Sequence, residues 1–431
     1  MIPERLRVLV ISPRPFSPPR IGGQVRPHGL MRALAQRHDL TVISLFDDVY
    51  DPDECRAAMA EYCDDVILIP NPNGRKGARR RVQLRSVFSN RSFDQHWLSV
   101  PELQKTLDRV VLSGLFDVVH LEFPISPCLL RLHAAGPLSP PIVLNTAGIE
   151  NDLGRQIAAN DRNPARRLYR EIAWRKLRRY ERAAFRASDG ICACSRADQR
   201  RMLADIPAAR TALVPNAADV DHFRRLPSDQ PPDSHAVVFF GLLSFPPNID
   251  GLLFFLRDVW PRIAAQRPDT HFKIIGRDPP PAILKLAGAR VEITGFVDDL
   301  REELSRAAVL VAPLRLGAGT RLKILEGMAM GLPIVSTTLG AEGIDVTPNR
   351  DIVIADDPTT FAASVVRLLD EPALATSLGC SARQLMVERY SWRAAAKQLE
   401  DFYFELIRTR RGRNAEALER SGSESRSHLV T

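Results

Sequence analysis

A chain of 431 residues exceeds what one compact core accommodates, so at least two domains are expected. Its 45% apolar and 26% charged residues exclude a disordered or fibrous chain, and no stretch approaches the roughly 18 apolar residues of a membrane span. The net charge of +8 is uneven: residues 1–200 carry 31 Lys/Arg against 22 Asp/Glu and the remainder 28 against 29, so the basic excess belongs to the N-terminal half.

The opening MIPERLRVLVISPRPF predicts a first strand at Arg7–Ser12, too short an apolar run for a secretory signal. Six cysteines (Cys55, Cys63, Cys128, Cys192, Cys194, Cys380) form no CxxC pair and no Cys/His metal spacing, as expected of reduced cytoplasmic thiols with no metal site. Further strands are expected at Leu40–Phe46, Asp65–Ile69, Val118–Leu121, Pro141–Asn145 and Gly190–Cys194, with helices such as Gln24–Gln36 between them. A polar, Pro-containing stretch at Leu213–Ser234 predicts the inter-domain connection. The second half repeats the scheme at His235–Phe240, His271–Gly276, Arg290–Thr294, Val309–Ala312, Pro333–Ser336 and Ile352–Ala355. Strands alternating with helices imply two parallel, Rossmann-like α/β domains, residues 1–212 and 213–390. A helix at Trp392–Arg408 and a disordered tail at 409–431 are expected to follow.

Ligands of open parallel sheets bind beyond the carboxyl ends of the strands. Four consecutive strand ends of the second half carry glycine. GLLSFPPNIDG brings Gly241 and Asn248, the latter a helix cap or a site residue. GRDPPP brings Gly276 and Arg277, and GFVDDL brings Gly295, Phe296 and Val297, whose backbone suits a planar base. GAGTRLKILEGMAMGLPIVST, from Gly317 to Thr337, sets Arg321, Lys323 and Glu326 at the start of a helix. Cations there oppose the helix dipole unless an anion arrives from outside, and free backbone amides favour that anion. Solvated surface charges are the alternative reading of this stretch alone.

PLRLGAGTRLKILEGMAMGLPIVSTTLGAEGI, with TGFVDDL and VPNAADVDHF before it, resembles the retaining glycosyltransferases of family 4, which have the GT-B fold. FSPPRIGGQVRPHGLMRAL is similar to the family's N-terminal glycine loop, and YERAAFRASDGICACSRAD to its final N-domain helix and strand. The resemblance implies two Rossmann-like parallel-sheet domains facing a cleft, with the C-terminal helix crossing back to the N-domain. It implies a nucleotide-sugar donor (a UDP- or GDP-sugar) on the C-terminal domain, a glycan or lipid-linked acceptor on the N-terminal one, and no cofactor or metal. Glu326 matches the glutamate that holds the donor ribose. Arg321 and Lys323 would neutralise the diphosphate, beside Gly317, Gly319 and Thr320, and Gly22 and Gly23 would approach the same phosphates. The chain departs from the family at Ala318, eight residues before Glu326, where a first motif glutamate is expected, and GLLSFPPN lacks the family's phosphate-binding Arg and Lys. In DVVHLEFP, Glu122 lies nearer than His120 to the position of the acceptor-side histidine; Glu150 in TAGIEND is a further candidate.

Three other readings share part of this pattern. A nicotinamide oxidoreductase would show GxGxxG directly after a strand, and here only GG follows a Pro-rich loop. A non-catalytic GT-B scaffold predicts nucleotide binding without turnover, and a GT-B sugar-nucleotide epimerase uses the same fold.

Two basic clusters lie in the N-terminal half. Residues 73–91 hold seven basic side chains and no acid; residues 166–186 hold nine against Glu171 and Glu181, around Leu168, Ile172, Leu177 and Trp174. No nucleic-acid-binding module accompanies them. Placed in the acceptor domain, they predict a peripheral position on an anionic membrane surface at the inner face of the membrane, with a solvated Arg-rich helix as the alternative.

Overall fold

The computed structural model describes residues 3–75, 77–112, 115–122, 139–161, 163–226, 233 and 235–427. The chain divides into two units, one comprising Met1–Ala147, Asn163–Val214 and Ala396–Thr431, the other Gly148–Arg162 and Pro215–Ala395.

The first unit is built on seven parallel strands: β1 (Arg7–Ser12), β2 (Asp39–Phe46), β3 (Asp65–Pro70), β4 (Val118–Glu122), β5 (Ile142–Asn145), β6 (Gly190–Ala193) and β7 (Thr211–Leu213). Their order is β3-β2-β1-β4-β5-β6-β7. The second has six parallel strands: β8 (Ala236–Phe240), β9 (His271–Ile275), β10 (Val291–Gly295), β11 (Val309–Ala312), β12 (Ile334–Ser336) and β13 (Val353–Ile354). These run β10-β9-β8-β11-β12-β13. In both sheets the order reverses beside the first strand, the switch point that opens a crevice at the carboxyl ends. This is the GT-B pair of Rossmann-like sheets.

Both faces of the second sheet are apolar because its central strands β8 (AVVFF) and β11 (VLVA) are apolar at every position. Val237, Phe239, Phe272, Ile274, Val309 and Val311 pack into one core, together with Phe255, Trp260 and Phe361. Their immediate neighbours Val238, Phe240, Ile275, Leu310 and Ala312 pack into another with Ile324, Leu325 and Met328. The period of two in side-chain direction turns one continuous apolar run into two buried layers.

Four differences from the sequence-based expectations have physical reasons. β7 was not expected, since its three residues TAL give too short a signal to distinguish from a turn. The first helix spans Gly22–Leu34, not 24–36, because Gln24 caps it from inside: its side-chain oxygen accepts from the amides of Arg20 (2.8 Å) and Ile21 (3.0 Å). Gly148–Arg162, placed by sequence in the first domain, belongs to the second unit. The last helix runs Trp392–Ser427 instead of ending at 408 before a disordered tail; RNAEALER is rich in helix formers, so nothing stops it there. Cys128, part of the Leu213–Ser234 connection and the last four residues lie outside the described residues.

Candidate functional site

The glycines at the ends of β8, β9 and β10 are joined through their backbones. The Gly241 amide donates to Ile275 O (3.0 Å), Gly276 to Gly295 O (2.9 Å) and Leu243 to Arg277 O (3.1 Å). At Gly276, φ is +152° and a Cβ would sit 1.8 Å from the Gly241 carbonyl, so only glycine permits this approach. Just beyond, the Arg277 guanidinium lies 5.9 Å from the centre of the Phe296 ring, which is 69% exposed, while Val297 packs on the core.

β11 leads into the loop Gly317–Thr320, whose Gly319 holds a left-handed φ of +69°. Arg321 caps the following helix Leu322–Ala329 and turns back under the loop, buried. Its Nη1 donates to Ala318 O (2.7 Å) and to Gly319 O, and Nη2 to Leu339 O (3.4 Å). Asn216 donates to Thr320 O at 3.4 Å. The amides of Ala318 and Gly319 have no hydrogen-bond partner among the described residues.

Two residues on from Arg321, Lys323 Nζ donates to Asn248 Oδ1 at 2.7 Å and lies 3.7 Å from the centre of the Phe239 ring. Asn248 is not the cap of its helix Pro246–Phe254; that position is Phe245, and the Asn248 side-chain amide instead donates to Leu242 O (2.7 Å). Gly241 is the glycine beside this pair, since a Cβ there would come within 3.1 Å of Asn248 Nδ2 and 3.2 Å of Lys323 Nζ. Burial and the neighbouring Arg321 hold the Lys323 ammonium well below the usual lysine range, with Glu326 opposing them. Burial pushes the Glu326 carboxyl up to about 7, against the pull of Lys323. An incoming anionic group would satisfy the desolvated ammonium and incoming hydroxyl donors the desolvated carboxyl, so this helical turn suits a ligand that carries both.

In the first unit, Gly22 and Gly23 open the helix Gly22–Leu34, and a Cβ on Gly23 would meet nothing within 4 Å. Glu122 ends β4 opposite Asn145 of β5, so both side chains leave the same face, shared by His120 two residues back. The Glu122 carboxylate pairs with His120 Nε2 (2.8 Å) and accepts from Asn145 Nδ2 (2.8 Å). His120 Nδ1 meets Tyr403 Oη at 2.5 Å, and Arg26 donates to Asn145 Oδ1 (2.7 Å) and Val214 O (2.8 Å). All five side chains are buried. This satisfied polar chain binds the last helix to β4; it holds Glu122 within the unit's interior. Glu150 opens the helix Glu150–Ala159 and is exposed.

The structure thus brings Gly241, Gly317, Gly319, Thr320, Arg321, Lys323 and Glu326 around one helix start, with Gly276, Arg277 and Phe296 at the neighbouring strand ends. Sequence reasoning missed the role of Asn248 as the seat of Lys323, and missed Gln156, which touches Gly317 across 161 positions of chain.

Comparison with known proteins completes the assignment. The family model described as Glycosyltransferase Family 4 matches residues 21–222, and that described as Glycosyl transferases group 1 matches residues 234–371. The chain belongs to the glycosyltransferases of family 4. Among its relatives, a phosphatidyl-myo-inositol mannosyltransferase of Mycolicibacterium smegmatis is 25% identical over 314 residues, 70% of this chain and 75% of that protein. An uncharacterized 44.6 kDa protein in the cps region of Klebsiella pneumoniae is 30% identical over 141 residues, 30% of this chain and only 36% of the relative's length. The solved structure of Anabaena HepE in complex with UDP superposes with a TM-score of 0.62 at 14% identity, over 93% of this chain and 100% of that one, and so shares the fold of this family 4 member.

Proposed function

We propose that this chain transfers a sugar from a nucleotide-sugar donor to a glycan or lipid-linked acceptor with retention of anomeric configuration, without a metal. The observation that carries the reading is the grouping of Arg321, Lys323 and Glu326 at one helix start beneath the strand-end glycines. Glu326 would accept from both ribose hydroxyls. Lys323 and the amides of Ala318 and Gly319 would take the diphosphate, with Arg321 fixing the loop and adding its charge. Phe296 and Arg277 offer a stacking surface for the base, with the backbone of Val297 at its edge. When the sugar C1–O bond to the diphosphate breaks, the acceptor oxygen attacks C1 on the same face and passes its proton to the departing diphosphate oxygen, whose remaining negative charge these groups stabilise. UDP is the ligand in the Anabaena structure and a lipid is the acceptor named for the mycobacterial relative, which supports a UDP- or GDP-sugar and a lipid-linked acceptor here. The sheet of the first unit would carry the acceptor; Glu122 would shape that sheet through His120 and Asn145 without contacting substrate.

The reading includes peripheral attachment to an anionic membrane from the cytoplasmic side. Leu84 and Val87 of the helix Ala78–Val87 and Phe88 after it are 60%, 44% and 86% exposed. Leu168 (63%) and Ile172 (46%) are exposed on the helix Pro164–Ala187. Gln83 Nε2 to Tyr169 Oη (3.2 Å) and Lys176 Nζ to Ser86 O (2.6 Å) bridge the two helices, so these apolar side chains share a neighbourhood dense in arginine. No helix of the described residues is long and apolar enough to cross a membrane.

The test is titration calorimetry with UDP, GDP, ADP and their sugars. Micromolar binding of one nucleoside diphosphate and its sugar supports the reading, transfer of the sugar to an added acceptor separates it from a non-catalytic scaffold and from an epimerase, and no binding by any overturns it.

A further inference from the structure

Loops that cradle phosphates need fixed amides, and glycine-rich ones need external support because glycine supplies none. The segment Gly148–Arg162 supplies it, a piece that sequence assigns elsewhere but that packs into the second unit. On its helix Glu150–Ala159, Gln156 makes a two-pronged bond to a single loop residue. Its Oε1 accepts from the Gly317 amide (2.9 Å) and its Nε2 donates to the Gly317 carbonyl (3.0 Å). This satisfies both backbone groups of Gly317, as a neighbouring strand would. The amide is oriented in turn by Asp152, whose Oδ2 accepts from Gln156 Nε2 at 3.2 Å. Gly148, at the other end of the segment, lies so close that a Cβ on it would stand 3.0 Å from both Cα and N of Gly319. Arg321 holds the carbonyls of Ala318 and Gly319 from below. The loop is therefore gripped at Gly317 by Gln156 and at Gly319 by contact with Gly148.

We propose that Gln156 is a positioning residue for the phosphate-facing loop Gly317–Thr320, with Gly148 as the close-packed stop that sets the loop's height. The inference rests on the donor site proposed above. Gln156 touches no substrate; it fixes the direction in which the amides of Ala318 and Gly319 point, and so acts on binding of the diphosphate portion of the donor and not on the nucleoside.

The test uses Gln156→Met, which keeps side-chain length and removes both hydrogen bonds, and Gly148→Ala, which presses on Gly319 from a different side. UDP and GDP are titrated against the full chain, with uridine and guanosine as nucleoside controls. Each variant is expected to weaken the nucleoside diphosphate that the wild type binds by about tenfold, with nucleoside affinity within about twofold; the melting temperature should be nearly unchanged in Gln156→Met and lowered in the strained Gly148→Ala. Hydrogen exchange of the peptide spanning 315–322 in the ligand-free protein is expected to speed up in Gln156→Met. A folded Gln156→Met with wild-type exchange in that peptide overturns the proposal whatever the ligand; unchanged diphosphate affinity alongside faster exchange overturns its functional half. Wild-type protein that binds neither diphosphate overturns the donor site itself, and the exchange rate then decides by itself whether Gln156 clamps the loop.

Discussion

Lys323 rests on Asn248, with 2.7 Å between Nζ and Oδ1, and its ammonium sits over the face of Phe239. Both supports are electrically neutral, so neither offsets the charge that burial disfavours, and an arriving anion would. Removing it is expected to cost charge-assisted contacts to a diphosphate. Lys323→Ala should bind UDP or GDP at least about tenfold more weakly, with the bare nucleoside little changed. Equal weakening of both ligands in calorimetry would remove Lys323 from the phosphate site. Asn248→Ala should show a smaller loss of the same kind.

Glu326 is expected to weaken donor binding on removal because it leaves two ribose hydroxyls unpaired. Glu326→Ala should lose on the order of 2 kcal/mol for nucleotide and nucleoside alike, which separates it from Lys323. A folded variant with unchanged donor affinity would be inconsistent with the ribose contact.

The same carboxyl gives a pH signature. Its folded value of about 7 lies above the ordinary 4.5, so the native state holds this proton more tightly than the unfolded chain. That contribution is complete below pH 4.5 and is lost as pH rises through 7. Glu326→Gln removes the dependence, so ligand-free Glu326→Gln should gain stability relative to wild type between pH 5 and pH 8, by on the order of 2 kcal/mol. Urea melts at three pH values measure it; a constant difference would show that the carboxyl is not perturbed.

His38 predicts the opposite slope. Its Nδ1 accepts from the Leu6 amide (3.2 Å) and its Nε2 faces Glu400 at 3.0 Å, both side chains buried, with Arg37 and Lys397 also on Glu400 and Arg5 nearby. Burial lowers the imidazole's value, against Glu400. Protonation would require Nδ1 to surrender the Leu6 bond. The stabilisation is present above the ordinary 6.5 and lost as pH falls below it. His38→Gln should flatten the melting-temperature profile between pH 5 and 6.5; a profile parallel to wild type would refute it.

Phe88 and Leu84 test the membrane surface. Phe88→Ser with Leu84→Ser removes exposed apolar area and should leave the fold intact, since neither side chain is buried. Flotation with anionic vesicles at low salt should recover wild type in the lipid fraction and lose most of the double variant; neutral vesicles should bind neither. Wild type remaining in the soluble fraction would point to a soluble acceptor.

Most of the sheet framework was legible because a strand buried on both faces is an uninterrupted apolar run: RVLVIS, AVVFF and VLVA announce themselves. The strand-end glycines of the second unit were legible for the same local reason, as each follows such a run. What escaped depended on partners distant in sequence. Whether Glu122 faces solvent or interior is decided by Tyr403 and Asn145, 281 and 23 positions away by number, and no local pattern around DVVHLEFP encodes them. Asn248 looked like a helix cap because Asn after a turn usually is one; only the return of Lys323 from another strand end gives it a different task.

The chain passes between the two units at 147/148, 162/163, 214/215 and 395/396. A gene cut once at the visible linker would therefore deliver a C-terminal half stripped of the fifteen-residue insert that carries Gln156 and Gly148. Recombination that trades sugar specificity between relatives would have to carry that insert along or find a compatible one already in the recipient. Family members that have exchanged their C-terminal halves should accordingly show matched ancestry in this short N-terminal insert, and chimeras built without it should fold yet bind donor weakly.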